Sequence, residues 1–202
     1  MFTGLIREIA KVKSFHHDKL TIQSKLHPKL GDSIAINGAC LTVVETTKDS
    51  FSVELSPESS SILAIENYHD KVHIEPAMRL SDRVEGHIVQ GHIDCVGEVT
   101  KIEKKENSFD YNIMIPDKFA KFLVPKGSIT VDGVSLTIND VYKNNFRLTI
   151  IPHTIKNTLI SRYKVGTRVN IETDMFARYI YHIFKKEKKV GWEDIDRIMA
   201  QW

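Results

Sequence analysis

Cysteine is scarce in this chain: Cys40 and Cys95 are the only two among 202 residues. Two thiols make a poor disulfide framework, and their spacing matches no metal-binding motif. Long apolar runs are missing as well. No stretch approaches the roughly 18 apolar residues that a membrane-spanning helix needs, so no membrane association is expected. The stretch Met1-Phe2-Thr3-Gly4-Leu5-Ile6-Arg7-Glu8 puts charges where a secretory signal needs an apolar core. The expectation is a cytoplasmic chain with reduced thiols. An excess of one charge sign is also lacking: 28 Lys and Arg against 26 Asp and Glu leave a net charge of +2. Without a basic stripe interleaved with aromatics, nucleic acid is not an expected partner. The basic run at 185–189 reads as a solvated helix end.

What is present is an internal duplication. Ser33-Ile34-Ala35-Ile36-Asn37-Gly38-Ala39-Cys40-Leu41-Thr42-Val43 returns ninety-five residues later as Ser128-Ile129-Thr130-Val131-Asp132-Gly133-Val134-Ser135-Leu136-Thr137-Ile138. Five of the eleven positions are identical, and four more exchange similar residues, among them Asn37/Asp132 and Cys40/Ser135. At the same offset 51–65 falls on 146–160, with Pro57 over Pro152. After a two-residue slip 72–78 falls on 169–175, and Gly4-Leu5-Ile6 matches Gly91-His92-Ile93. The period is far too long for a solenoid, so the repeated unit is a small domain. The chain divides into 1–86, 87–174 and a tail, 175–202.

Within each half, short spans alternate apolar and polar residues. They fall at 4–14, 20–24, 33–37, 41–46, 51–55 and 71–75, and again near 92–103, 109–115, 128–132, 136–141, 146–151 and 167–172. This period of two, punctuated by Gly and Asn, predicts half-buried strands. Ser56-Pro57-Glu58 starts a short helix over about 58–64, mirrored at 154–160, and Pro116-Asp117 starts another over 117–123. Six short strands per half predict an all-β protein of two closed Greek-key barrels. The tail differs: Phe176, Tyr179, Ile180, Ile183 and Phe184 recur at three- and four-residue steps, an apolar stripe on a helix of about 175–187. Such a stripe outside two closed barrels needs a partner surface, and self-association is favoured over packing back on the chain's own barrel. Residues 192–202 allow a second short helix.

Asn-Gly and Asp-Gly are hairpin-turn signals in their own right. After each turn, Cys40-Leu41-Thr42 and Ser135-Leu136-Thr137 put two polar groups on one face of a strand, with the leucine on the other. The second half opens with Gly86-His87-Ile88-Val89-Gln90-Gly91-His92-Ile93-Asp94. Its histidines lack Cys or carboxylate partners at metal-binding spacing, so no metal is expected. Leu5 stands where the other copy has His92, so two similar sites would differ in chemistry. A reaction between two copies of one molecule needs that difference.

These blocks, in this order and spacing, resemble the riboflavin synthase family of the lumazine-dismutating, alpha-chain type. The residues carrying the resemblance are Met1-Phe2-Thr3-Gly4, 37–43, 86–94 and 132–137, and it covers essentially the whole chain. It implies two six-stranded Greek-key barrels, a C-terminal helix that joins three chains into a homotrimer, and no cofactor. It further implies that two molecules of 6,7-dimethyl-8-ribityllumazine meet where the first barrel of one subunit faces the second barrel of another. A four-carbon unit then moves between them, giving riboflavin and 5-amino-6-(D-ribitylamino)uracil. Lumazine synthase is a candidate physical partner.

Carried over residue by residue, the first-barrel ligand positions are Cys40, Leu41, Thr42, Glu54, Leu55, Ser56, Pro57, Glu58 and Ser59. Those of the second barrel are Ser135, Leu136, Thr137, Pro152, His153, Thr154, Ile155, Lys156 and Asn157. Gly4, Leu5, Ile6, Gly91, His92, Ile93 and Lys126 line the junction. His92 is the first candidate for proton transfer, because imidazole titrates nearest physiological pH. Ser135 and Thr137 would orient the ring or a water, Cys40 would contact the partner ring, and Phe2 would stack on or cover a ring. Ser59 stands where the family commonly has Thr, and His153 stands opposite Glu58. The alternative is a non-catalytic lumazine- or flavin-binding antenna protein of the same build, which would have lost one of the paired sites. A scaffold with no ligand is the third reading.

Overall fold

The computed structural model describes residues 1–187, so the expected helix at 192–202 lies outside the described residues. Each half forms one closed antiparallel barrel of six strands. The first uses β1 (Glu8–His16), β2 (Lys19–Gln23), β3 (Ser33–Ile36), β4 (Ala39–Thr46), β5 (Ser50–Glu54) and β6 (Lys71–Pro76). The second uses β7 (Cys95–Lys104), β8 (Phe109–Met114), β9 (Ser128–Val131), β10 (Val134–Tyr142), β11 (Asn145–Ile150) and β12 (Arg168–Thr173). Around the first barrel the order is β1-β2-β5-β4-β3-β6, and adding six to each label gives the second. Closure needs strands to bend, and matching register shifts supply the bend at Val12/Ser14 and Val99/Lys101, and at Val43/Glu45 and Ile138/Asp140.

Short helices link the strands: α1 (Pro57–Ile62) after β5, α2 (Asp117–Ala120) after β8 and α3 (Pro152–Asn157) after β11. Ser56 caps α1 by accepting the Ser59 amide, as its sequence suggests, whereas Ile151 at the matching place in α3 makes no side-chain cap. The helix mirrored at 154–160 is in fact two pieces, α3 and a 3₁₀ turn over Leu159–Arg162. The last helix, α4 (Met175–Glu187), carries the expected apolar stripe and runs to the end of the described residues. Tyr181 on one face meets Phe122 edge-on at 5.5 Å. Phe176, Tyr179, Ile180, Ile183 and Phe184 on the other face are each more than half exposed.

Strands expected from residues 4 and 92 begin later, at Glu8 and Cys95. The reason lies at Gly4 and Gly91, whose φ values of +76° and +79° turn the chain out of the strand path.

A pseudo-twofold contact joins the barrels. The hairpins at Asn37-Gly38 and Asp132-Gly133 have φ of 44°, 83°, 45° and 81°, and they meet back to back. A Cβ on Gly38 would lie 2.7 Å from the Gly133 nitrogen, and one on Gly133 would lie 2.8 Å from the Gly38 nitrogen. Two buried side chains clamp this contact from either side. Asn170 donates Nδ2–H to the Asn37 carbonyl at 2.9 Å, while its Oδ1 accepts the Ala64 amide at 2.8 Å. His73, its sequence counterpart, uses Nδ1 toward the Asp132 carbonyl at 2.9 Å and Nε2 to accept the Leu159 amide at 2.6 Å. The accepting Nε2 makes Nδ1 the protonated nitrogen, so the ring is neutral.

Burial moves both titratable groups of this contact. It lowers His73 from 6.5 to about 4, and it raises Asp132 from 3.8 to about 7. His73 therefore contributes stability that is lost as pH falls from 6.5 through about 4, and Asp132 contributes stability that is lost as pH rises from 3.8 through about 7. The two contributions oppose each other. His73→Asn, which copies the Asn170 arrangement, is expected to fold and to gain stability relative to the parent as pH falls. Between pH 7.5 and 4 the relative gain is about 3 kcal/mol, readable from urea unfolding at each pH. A constant difference between the two proteins would show that the ring does not titrate as its burial requires.

Candidate active site

The two barrels exchange their leading segments. Phe2 and Val89 pair antiparallel, with N···O distances of 2.8 and 3.0 Å, and the segments then part toward opposite barrels. The Gly4 carbonyl accepts the Ser135 amide of the second barrel at 2.8 Å, and Ile6 packs against the second core. Reciprocally, the Gly91 carbonyl accepts the Cys40 amide of the first barrel at 2.8 Å, and Ile93 is part of the first core. The backbone approach is too close for a side chain. A Cβ on Gly4 would fall 2.5 Å from the Ser135 Cβ, and one on Gly91 would fall 2.6 Å from the Cys40 Cβ.

Buried carboxylates fix both segments. Glu75 accepts the amides of Thr3 and Gly4 at 2.7 and 3.0 Å and the Thr3 hydroxyl at 2.7 Å. Glu172 accepts the amides of Gln90 and Gly91, both at 2.8 Å. Burial pushes both carboxyls above the usual carboxylate range, and these amide donors pull them back.

Two half-sites result. On the first barrel, Leu41 and Leu55 lie in the core, Cys40 is half-buried and Thr42 is exposed. The register of β4 with β5 carries the chain leaving Glu54 alongside Leu41 and Cys40. Ser56, Pro57 and Glu58 follow as exposed residues, with Ser59 half-buried. His92 is exposed on the segment crossing this barrel, between buried Gly91 and Ile93. On the second barrel, Ser135 and Leu136 are half-buried and Thr137 is exposed. Ile155 packs toward the same core beside half-buried Thr154, while Pro152, His153, Lys156 and Asn157 are exposed. Leu5 takes the place of His92 and is half-buried. Within one chain, then, His92 belongs with Cys40, and Ser135 and Thr137 belong with Leu5.

Lys126 is exposed next to the second half-site, its amide donating to the Ile138 carbonyl at 2.8 Å. Its φ of +65° is one that Gly31 adopts in the first copy, a conformation costly for a residue with a side chain. Phe2 is wholly buried, packed with Ala35 and Val89 behind Cys40. It backs the half-site wall and has no free ring face, so the expectation of a stacking ring does not suit this chain alone.

Sequence reasoning passed over His87 as a site residue. Its Nδ1 lies 2.7 Å from the Ser135 hydroxyl, a hydrogen bond that places an acid–base group on the second half-site. Burial lowers the pKa of His87, and the charge of Asp174 partly opposes this. Next to Cys40 the neighbours are Gly91 and the Phe2 ring. The signal was the repeated Gly-His pair, of which only the second had been assigned a role. A groove of about 960 Å³ beside β3 and the 77–85 connection contains none of the expected residues. The half-sites are open faces of the single chain.

Comparison with known proteins fits this geometry. A family model described as the lumazine binding domain matches the chain twice, at residues 3–77 and 90–174. The riboflavin synthase of Bacillus subtilis (strain 168) is 43% identical over 195 residues, spanning 92% of this chain and 91% of that protein. The chain belongs to the riboflavin synthase family. Riboflavin synthase of Photobacterium phosphoreum is 41% identical over 213 residues, spanning 98% of both chains. Among solved structures, LumP complexed with 6,7-dimethyl-8-(1'-D-ribityl) lumazine superposes with a TM-score of 0.75 at 20% identity, covering 86% of this chain and 99% of that one. At that identity the likeness concerns the fold alone. In this chain each barrel pairs one Cys/Ser-Leu-Thr strand with one crossing segment.

Gly86 tests the His87 contact. A Cβ there would lie 2.0 Å from the Thr3 carbonyl oxygen and 3.1 Å from the Ser135 hydroxyl. Gly86→Ala is expected to cost about 1–3 kcal/mol through overpacking. It should also free His87, whose pKa, followed by NMR of the ring protons, would rise toward the ordinary histidine range. An unchanged titration would place the ring outside the Ser135 environment.

Proposed function

We propose that the chain is a riboflavin synthase, a transferase that dismutates two molecules of 6,7-dimethyl-8-ribityllumazine into riboflavin and 5-amino-6-(D-ribitylamino)uracil. The observation carrying this reading is a pair of equivalent faces with unlike chemistry. One offers Cys40, Thr42 and His92, and the other offers Ser135, Thr137 and His87 hydrogen-bonded to Ser135. Two copies of one substrate must play unlike roles, as donor and acceptor of four carbons, and sites alike in shape but different in acid–base groups suit that need. The names of the relatives at 43% and 41% identity support the same activity.

The chemistry asks little of the protein beyond positioning. The lumazine 7-methyl group is acidic because its carbanion delocalises into the ring, so the proposal requires neither metal nor cofactor. Each ring would lie against a strand backbone, at Cys40, Leu41 and Thr42 or at Ser135, Leu136 and Thr137. The ribityl chains would reach the polar residues of 54–59 and 152–157. Holding two rings face to face is worth roughly 7–11 kcal/mol in favourable cases. Positioned groups such as His92 and the Ser135–His87 pair add about 10²–10⁴-fold through proton transfer.

The two half-sites of one chain belong to different barrels, and the family resemblance implies that the first barrel of one subunit meets the second barrel of the next. The apolar face of α4 supports a homotrimer as the assembly that brings them together. Residues 1–86 and 87–174 would be the two ligand-binding units and 175–202 the assembly segment. The compartment would be the cytoplasm, and lumazine synthase the physical partner to test by co-sedimentation.

The deciding experiment mixes purified chain with 6,7-dimethyl-8-ribityllumazine and follows absorbance. Riboflavin should appear at half the molar amount of lumazine consumed, while binding without consumption would favour an antenna role. His92→Ala and Ser135→Ala are each expected to lower kcat about 10²–10⁴-fold. Subunits of the two variants, mixed and reassembled, should recover part of the activity through junctions that keep both residues. Mixing without recovery would place the active site within one chain.

A further inference from the structure

The two crossing segments are followed by residues of opposite charge. In the first copy the exposed Arg7 follows the segment directly, and Glu75 is satisfied by the donors of Thr3 and Gly4. The aligned residue in the second copy is Asp94, an acid. That segment therefore brings a carboxylate toward Glu172, already almost wholly buried, and the charge of Asp94 works against Glu172. Two neighbouring buried carboxylates are costly without a cation.

The cation comes from α4. Arg178 donates Nη1–H to Asp94 Oδ1 at 2.7 Å and Nη2–H to the Gln90 side-chain carbonyl at 2.7 Å, with Nη2 also 3.6 Å from Glu172 Oε1. Asp94 Oδ2 meanwhile accepts the amide and hydroxyl of Thr173 at 2.7 and 2.6 Å. The planar guanidinium fork spans both ends of residues 90–94 at once, which a lysine ammonium cannot do equally well. His92 sits midway along that clamped stretch, and the Gly91 carbonyl within it holds the Cys40 amide.

We propose that Arg178 is a positioning residue for the first half-site, coupling the seating of α4 to the placement of His92 and Cys40. The inference rests on the proposed dismutase activity for its catalytic readout, and it has a second readout that does not. One face of α4 carries the exposed apolar stripe and another carries Arg178, so the helix that offers itself for assembly also sets the first half-site. The segment serving the second half-site is held by Glu75 through Thr3 and Gly4, none of which lies on α4.

The test compares full-length wild-type chain with Arg178→Met and Arg178→Lys. Amide hydrogen exchange reports the segment without any turnover. In Arg178→Met, the amides of Gln90, Gly91 and Cys40 should exchange at least about tenfold faster, while those of Gly4 and Ser135 stay within about twofold of wild type. With lumazine as substrate, Arg178→Met should lower kcat about tenfold or more with a smaller change in KM, and Arg178→Lys should recover part of the loss. In a His92→Ala background, Arg178→Met should add little further loss, because both act through one segment. Equal acceleration of exchange at both half-sites would overturn the proposal, as would undiminished kcat in Arg178→Met or full additivity with His92→Ala. A wild-type chain that never consumed lumazine would sink the functional reading alone, leaving the exchange pattern to decide the role of Arg178.

Discussion

The back-to-back meeting of Gly38 and Gly133 is the constraint on which the architecture turns. Backbone nitrogen and Cα of each hairpin lie where the Cβ of the other would be, so neither position admits a side chain. Both glycines also carry positive φ, near 80°, which other residues adopt only at a cost. Once the hairpins touch there, each barrel's remaining approach is limited to rotation about that contact. The side chains of His73 and Asn170 remove that freedom, each reaching from its own barrel to the turn and a further backbone amide of the opposite one. Their buried polar atoms are all paired, which such an interior requires.

The placement of the half-sites follows from this contact. With the hairpins locked, Ser135 and Cys40 sit just beyond the turns, within reach of segments that cross from the opposite barrel. The crossing is reciprocal, Gly4 to Ser135 and Gly91 to Cys40, and each barrel's core is completed by an isoleucine from the other's leading segment. Neither barrel's binding face is therefore complete without the other half of the chain. A duplicated protein that had kept two independent barrels would not need such an exchange. Here the exchange ties the geometry of the two half-sites together while leaving their chemistry free to diverge. Divergence is what the sites show: a Ser–His hydrogen bond on one, a thiol and an exposed histidine on the other.

Much of this was legible before any coordinates. Period-two patterning, the Asn-Gly and Asp-Gly turns and the ninety-five-residue offset lead to two six-stranded barrels. The tail stripe gives the helix α4, which begins at Met175 as expected. The Cys40/Thr42 and Ser135/Thr137 pairs stand on one strand face each, as alternation demands. Less legible was the fate of residues 4–6 and 91–93. Their alternation continues that of the following strand, and only the φ of Gly4 and Gly91 diverts them. His87 escaped for a related reason, since its partner Ser135 lies 48 residues away and proximity of that kind leaves no periodic trace.

Local sequence, then, determined the strands, turns, helices and the twofold repetition, because each depends on alternation, glycine conformation and capping within a few residues. It also determined family membership, through motif blocks spread along the whole chain. Tertiary structure alone decided which segment serves which barrel, that Phe2 is buried behind Cys40, that His87 meets Ser135, and that Arg178 bonds the segment bearing His92. Each of these depends on side chains far apart in sequence, brought together by a close approach of backbones for which the sequence records only the glycines that permit it.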